Sequence, residues 1–277
     1  CATLMHMEKL TRSDLSEVTN KCQRGVSCWT QECDDTLWYV FEYLTTHTNK
    51  SLVGIIDVRD LKLLRIVESS DASLANMRGF KTTGAFTHHV YGPFGTWYTV
   101  GWKAKTLSGI ITSTTRAETA AKLLSVEQVT FLRNLLQECT GYWVGCDGFG
   151  DNMASLTCVY KGGFNSKTAQ LHGSRIADFY ECILNTLSHE SGKTIIADQM
   201  TKAKSSDERK PHDLALMLFD LAHLEEICGQ EKSQWDKLVG ELNNSTADEL
   251  APDEVAEDRE LNLGLQEITS LGNANPQ

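Results

Sequence analysis

The chain has 277 residues, 41% hydrophobic and 23% charged, enough for one large folded domain or two modest ones. It contains no run of eighteen apolar residues, so no membrane-spanning helix is expected, and residues 1–7 are too short and interrupted for a signal peptide. A formal net charge of −11 argues against nucleic acid as a partner, because phosphate binding needs an excess of Lys and Arg.

In chain order, residues 13–21 predict a short helix leading into a second, amphipathic one over 28–44. In that second helix Trp29, Cys33, Leu37, Val40, Phe41 and Leu44 share a face. Residues 51–57 and 61–67 read as strands and are followed by a polar stretch. A hairpin comes next, with one strand at 86–91, a Gly92-Pro93-Phe94-Gly95 turn and a returning strand at 96–100. Strand character continues over 103–113. Helical periodicity then takes over from Ala117 to Glu138, with Leu124, Phe131, Leu132, Leu135 and Leu136 inside. Residues 142–146 and 154–161 read as strands flanking a tight turn at 147–152, and 174–189 as the cleanest helix. Pro211 opens another helix, with Leu214, Met217, Leu221, Leu224 and Cys228 as its stripe. The expected class is mixed α/β (α+β): an N-terminal helix with antiparallel hairpins, then a helix-rich C-terminal half. Three regions are expected, at 1–113, 114–244 and 245–277. The last holds eight acids against Arg259 and reads as a flexible acidic tail; it leaves only −4 on the rest of the chain, which weakens the argument against nucleic acid.

Chemistry is sought first at Cys28. With Ser27 as N-cap, the thiol would sit in the first turn of a helix, where unpaired N–H groups and the macrodipole favour a thiolate. Gln23, folded back beside it, could donate an N–H to a developing oxyanion. His88 and His89 supply candidate bases. They point to opposite faces of one strand, so only one can meet Cys28, and His89 is preferred because Tyr91 shares its face. The competing explanation is a small buried cysteine and a histidine pair satisfied by local hydrogen bonds.

Gln-x4-Cys-Trp, a strand histidine sixty-one residues after the cysteine, and a Gly-x-Trp-Tyr strand resemble the papain-like cysteine proteases, in the style of the compact viral leader proteases. The resemblance covers roughly residues 20–105. It implies a thiolate–imidazolium pair of Cys28 with His89 or His88, an oxyanion donor in Gln23, and Trp29 packed beside the nucleophile. The chain departs from that family in having Val100, Gly101 and Trp102 where an orienting Asp or Asn is common, so the histidine would depend on a backbone carbonyl or a distant residue such as Asp57. Where a Gly-His-Tyr pattern would place the histidine, the chain has Ala85.

No cofactor or metal is expected. Gly192-Lys193-Thr194 lacks the first glycine of a phosphate loop, residues 147–152 lack the ligand spacing of a calcium loop, and neither Cys22, Cys28 and Cys33 nor Cys139, Cys146 and Cys158 contain a Cys-x2-Cys knuckle. Trp97, Tyr98 and Trp102 read as core. Nine cysteines without a framework suit free thiols in a reducing, cytoplasmic setting. A processed Cys1 could act as an N-terminal nucleophile, but residues 2–12 alternate poorly for the strand this requires; Gln277 would fit release from a viral polyprotein. Two readings stay open. One is a cysteine peptidase acting on a polypeptide. The other is a non-catalytic viral structural or assembly protein (coat, matrix or nucleoprotein-like), or a complex subunit, using its acidic tail to bind a protein partner. A homo-oligomer is compatible with either, and neither involves a membrane.

Overall fold

In the computed structural model, residues 1–220 are described apart from residues 78, 79, 110, 164, 165, 193, 203 and 205. Helices α1 (Ala2–Leu10), α2 (Ser16–Gly25) and α3 (Gln31–Thr46) open the chain and pack Leu4, Leu15 and Val40 into a small core of their own. Strand β1 (Lys50–Leu52) follows, then the long strands β2 (Arg65–Met77), β3 (Lys81–Tyr91) and β4 (Trp97–Thr106). Helix α4 (Thr114–Thr140) leads to β5 (Gly145–Gly150), α5 (Met153–Lys161), α6 (Lys167–Tyr180) and β6 (Asn185–His189). A 3-10 turn (Ile196–Met200), α7 (Ser206–Ala215) and β7 (Leu218–Asp220) complete the described elements. The expected mixed α/β class holds, with helices at both ends and a mixed sheet between them.

The sheet order is β4-β3-β2-β5-β6. β2, β3 and β4 form an antiparallel meander, whereas β5 and β6 join β2 in parallel. β1 and β7 make a separate antiparallel pair. The sheet therefore crosses the expected boundary at residue 113, and Cys1–Ala222 is one compact unit. The expected acidic tail at 245–277 lies outside the described residues.

Each face of the sheet has its own cover. On one side Ile66 and Cys146 meet Leu123, Val126 and Val129 of α4 and Ile176 and Phe179 of α6. On the other, Ala85 packs with Ile196, Met200, Leu216 and Leu218, while Trp97 and Trp102 lie partly buried against that cluster, as the core reading of the stripe expected. Helix α4 starts where Ser113 accepts the Arg116 N–H and stops at Gly141, whose φ of 77° is the left-handed cap that glycine adopts without strain. Its inward face is Ala117, Ala121, Leu123, Val126 and Val129; of the expected set, Leu132 and Leu136 pack against this core, whereas Phe131 and Leu135 are exposed. Small residues at the N-terminal end bring α4 close to β2, where Ala72 packs on Ala117 and Ala121.

Several expected elements change type. The polar stretch after residue 67 is the continuation of β2, the residues read as the 147–152 turn are mostly β5, and the second flank of that turn is α5. The helix expected over 174–189 ends at Tyr180, and its last part is β6. The β2 run tolerates burial because most of its polar groups find partners, Glu68 Oε1 and Asp71 Oδ1 being the exceptions. Glu68 accepts from Lys122 Nζ at 2.7 Å and from Tyr180 Oη at 2.8 Å, and Ser69 Oγ accepts from the Ala197 N–H. Lys122 also donates to the Phe149 carbonyl at 2.6 Å. Gly148 in β5 is required by this network, since a Cβ there would lie 1.9 Å from Tyr180 Oη.

Lys122 and Glu68 are both buried, so removing one strands the other's charge. Lys122→Met is expected to cost about 3–5 kcal/mol in urea denaturation, and the paired Glu68→Gln, Lys122→Met chain should recover much of that loss. A loss below about 1 kcal/mol for the single variant would show that the pair does not hold α4 to the sheet.

Candidate metal centre

Because β2 and β5 run parallel as neighbours, residues two places beyond the register pair Ser69↔Phe149 arrive side by side: Asp71 on β2 and Asp151 just past β5. Helix α4 adds Glu118 from its second turn, fixed where Glu118 Oε1 accepts the Ala72 N–H at 3.3 Å. One carboxylate oxygen from each of Asp71, Glu118 and Asp151 lies within 4.8 Å of the others, with Asp71 and Glu118 buried and Asp151 half-buried. Three elements distant in sequence thus converge on one end of the sheet.

The neighbours of this cluster are basic or hydrogen-bonding. Thr201 Oγ1 donates to Asp71 Oδ2, and Lys202 Nζ stands 3.8 Å from Asp71 Oδ1. A fourth carboxylate, Asp198 in the 3-10 turn, is paired with Lys202 and Lys204; burial raises its pKa, but the two lysines more than offset that and hold it below the usual range. The Asp151 carbonyl lies 3.0 Å from His189 Nε2, which ties the end of β5 to the end of β6.

Crowded buried carboxylates repel one another, and Glu118 and Asp71 are displaced accordingly. Burial, then the charges of Asp71 and Asp151, pushes the Glu118 carboxyl up to about 9. Burial also lifts Asp71 to about 6, against the opposing pull of Lys202 and Thr201. Asp71 Oδ1 is buried without a hydrogen-bond partner. An all-oxygen, partly dehydrated donor set with an unused oxygen and excess negative charge fits a hard divalent cation such as Mg²⁺ or Mn²⁺.

The sequence candidates are not brought together. Cys28 follows α2 in an exposed turn, its N–H bonded to the Gly25 carbonyl; Thr30, not Ser27, caps the next helix, so Cys28 is outside any helical first turn. His88 and His89 are both buried in the sheet, on opposite faces as expected. His88 Nε2 lies 2.8 Å from Ser125 Oγ, and His89 Nδ1 lies 3.0 Å from Thr99 Oγ1 with its ring stacked on Trp97. Burial, then a neighbouring charged or titrating group, lowers both imidazoles to about 3, which keeps them neutral. A neutral buried ring and an exposed thiol cannot form a thiolate–imidazolium pair. Gln23 lines a groove with Trp102 and Lys103 that Cys28 does not line, and Asp57 caps a 3-10 turn and pairs with Arg59.

The papain-like resemblance and the cysteine-peptidase reading are therefore corrected. So is the non-catalytic alternative, because a costly buried carboxylate cluster serves no packing purpose. The expectation against nucleic acid is corrected too. Residues 221–277 hold thirteen acids against three bases, so residues 1–220 carry a net charge of only −1 and the global figure says little about the surface around the cluster. Against the expectation of no metal stands a donor set that could hold one. No helix among the described residues is long and apolar enough to cross a membrane.

No protein-family model and no curated protein matches the chain. Solved structures do resemble part of it. LC11-RNase H1, isolated from compost by a metagenomic approach, is 15% identical, with 55% of this chain and 98% of that one covered and a TM-score of 0.37. The RNase H domain of prototype foamy virus is 14% identical over 55% of this chain and 92% of that one, with a TM-score of 0.33. RNase H1 from the archaeon Halobacterium salinarum is 12% identical over 46% and 86%, with a TM-score of 0.31. Likeness this distant assigns no activity, and the chemistry of this chain rests on its own carboxylates.

Because the Glu118 and Asp71 pKa values are raised above their unfolded values, the native state binds the extra protons, and metal-free stability falls as pH rises between about 4 and 9. Melting temperatures of the metal-free protein should decline across that range, less steeply with millimolar Mg²⁺ and less steeply in Glu118→Gln. A pH profile unchanged by both the cation and the substitution would show that the three carboxylates do not share a charge problem.

Proposed function

We propose that the chain is a divalent-metal-dependent nuclease of ribonuclease H type, cutting phosphodiester bonds in a nucleic-acid strand. The observation that carries this reading is the convergence of Asp71, Glu118 and Asp151 within 4.8 Å at the end of the parallel β2–β5 pair. The raised carboxyl pKa values and the unpartnered Asp71 Oδ1 support it, because a bound cation relieves both.

Asp71, Glu118 and Asp151 would hold the metal. When bound, divalent cations supply Lewis acidity and charge neutralisation for phosphodiester hydrolysis. The chain's own residues supply the fixed frame. The Ala72 N–H holds Glu118, Thr201 orients Asp71, and Asp151 follows directly on β5 with its carbonyl against His189 Nε2. Lys202, half-exposed and close to Asp71 and Asp198, places a positive charge at the rim, where the anionic substrate approaches. Preorganised groups of this kind need no rearrangement as charge develops. The eight cysteines among the described residues are all free, which supports a reducing setting such as the cytoplasm.

Asp71→Asn, Glu118→Gln and Asp151→Asn should each lower cleavage of a labelled RNA–DNA hybrid by about 100-fold or more while leaving a cooperative thermal transition. Chelation should abolish cleavage, and Mg²⁺ or Mn²⁺ should restore it. Cys28→Ser should cut at the parent rate. Undiminished activity in the Asp71 and Glu118 variants would remove this reading.

A further inference from the structure

A groove of about 580 Å³ runs between α1, α2 and the edge strand β4, and a second of about 490 Å³ lies between the α2 end, the start of α3 and the start of β3. Arg24 lines both. The cations along them are Lys9, Lys21, Arg24, Lys81, Lys103 and Lys105, against two carboxylates, Glu8 and Glu32. Those acids are already engaged: Glu8 is buried and accepts from Ser16 at 2.6 Å, and Glu32 pairs with Lys21 at 3.1 Å. On a protein of net charge −11 this is a local concentration of positive charge.

Arg24 is the informative member. Its Nη2 donates to Thr83 Oγ1 at 3.0 Å, but Nε and Nη1 are buried with no hydrogen-bond partner, and it makes no ion pair among the described residues. Burial depresses its pKa, with only the charge of Glu17 opposing. Buried unpaired donors of a guanidinium are costly, and they match the oxygens of a phosphate.

The position of Arg24 ties it to the carboxylates. Asp71 stands opposite Ala85 in the β2–β3 register, and Thr83 is two residues further along, on the same face. Diagonal neighbours of that kind lie about 7–8 Å apart, so the Thr83 partner of Arg24 stands close to the carboxylates on the same side of the sheet. We propose that the groove from Arg24 along β4 seats the phosphate backbone of the nucleic acid whose scissile bond lies at Asp71, Glu118 and Asp151. Arg24 is then a positioning residue for a phosphate flanking the cut, and Lys103 and Lys105 hold the strand beyond it. This rests on the nuclease reading and extends it to residues that precede the first strand of the sheet.

The test uses the full chain in an Asp71→Asn background, so that binding is read without cleavage, with a fluorescent RNA–DNA hybrid titrated from about 50 to 200 mM salt. Arg24→Ala should weaken binding about tenfold or more and lower the salt slope by about one. Lys103→Ala with Lys105→Ala should lower the slope by about two. Affinity and slope unchanged in both variants would overturn the proposal; if Arg24→Ala does not fold, the lysine pair, exposed on an edge strand, decides it. Competition by a poly-glutamate peptide as strong as by unlabelled hybrid would also overturn it, assigning the groove to acidic protein. The two readings separate cleanly. A protein that binds through Arg24 but whose Asp71 form cuts nothing keeps the groove and loses the nuclease, whereas one that cuts without needing Arg24 keeps the nuclease and loses the groove.

Discussion

Electrostatic repulsion among three carboxylates sets the terms for the architecture around them. Asp71, Glu118 and Asp151 would separate in a compliant structure, because each loses water and gains a like charge nearby. They stay together because each is attached to something rigid. Asp71 lies within β2 and Asp151 directly after the neighbouring parallel strand β5, whose hydrogen bonds to β2 end two residues earlier, and the third belongs to a 27-residue helix locked across those strands. The close approach of that helix depends in turn on Ala117 and Ala121, small enough to let its backbone reach Ala72.

The same strand carries two polar systems on opposite faces. Under α4, Glu68 is neutralised by Lys122 and bonded by Tyr180; on the other face, Asp71 meets Thr201 and Lys202. The two serve different ends. The Glu68 group pairs a charge with a charge, and its buried network ties β2 to α4 and α6. Each group keeps one buried carboxylate oxygen without a hydrogen bond, Glu68 Oε1 and Asp71 Oδ1, but only Asp71 is joined by two further carboxylates, and that excess of negative charge is the pattern of a site that completes itself with a cation. Geometry and charge balance, not acidity alone, distinguish a structural carboxylate from a functional one here.

This duality explains what the sequence could and could not disclose. The histidine hairpin was legible because Phe86, Val90 and Tyr98 alternate around a Gly-Pro turn, and it is β3 and β4. Helix α4 is legible from its length and periodicity, and its inward face only in part: Leu132 and Leu136 pack on the core, but the bulky Phe131 and Leu135 are exposed while alanines carry the tight contact. The central strand was not legible. Glu68-Ser69-Ser70-Asp71 has the composition of a loop, and only long-range partners such as Lys122 and Thr201 make its burial tolerable. Strand β5 is hidden in the same way by Gly145, Gly148 and Gly150; at the first two, glycine marks close approach and not a turn. With both strands hidden, Asp71 and Asp151 had no common end to share. The cue that remained was a set of three carboxylates, each directly before or within a run of small residues, which identifies nothing until the strands are paired.

Cys28 failed for the complementary reason. Local features that would activate a thiol were counted without the geometry that must deliver a base, and both histidines are spent on Ser125 and Thr99 in a sheet interior. Net charge misled by the same averaging. At physiological salt, fields fade over about 8 Å, so acids in residues 221–277 count against a phosphate at Arg24 only where they lie within that reach. What a nucleic acid would meet on the nuclease reading is the local set: a guanidinium with unused donors, lysines along an edge strand, and a carboxylate cluster whose repulsion a divalent cation would turn into attraction. On that reading, negative charge at the cluster and positive charge beside it are complementary parts of one arrangement, because a phosphate would be held by the second and cut only where the first has bound its cation.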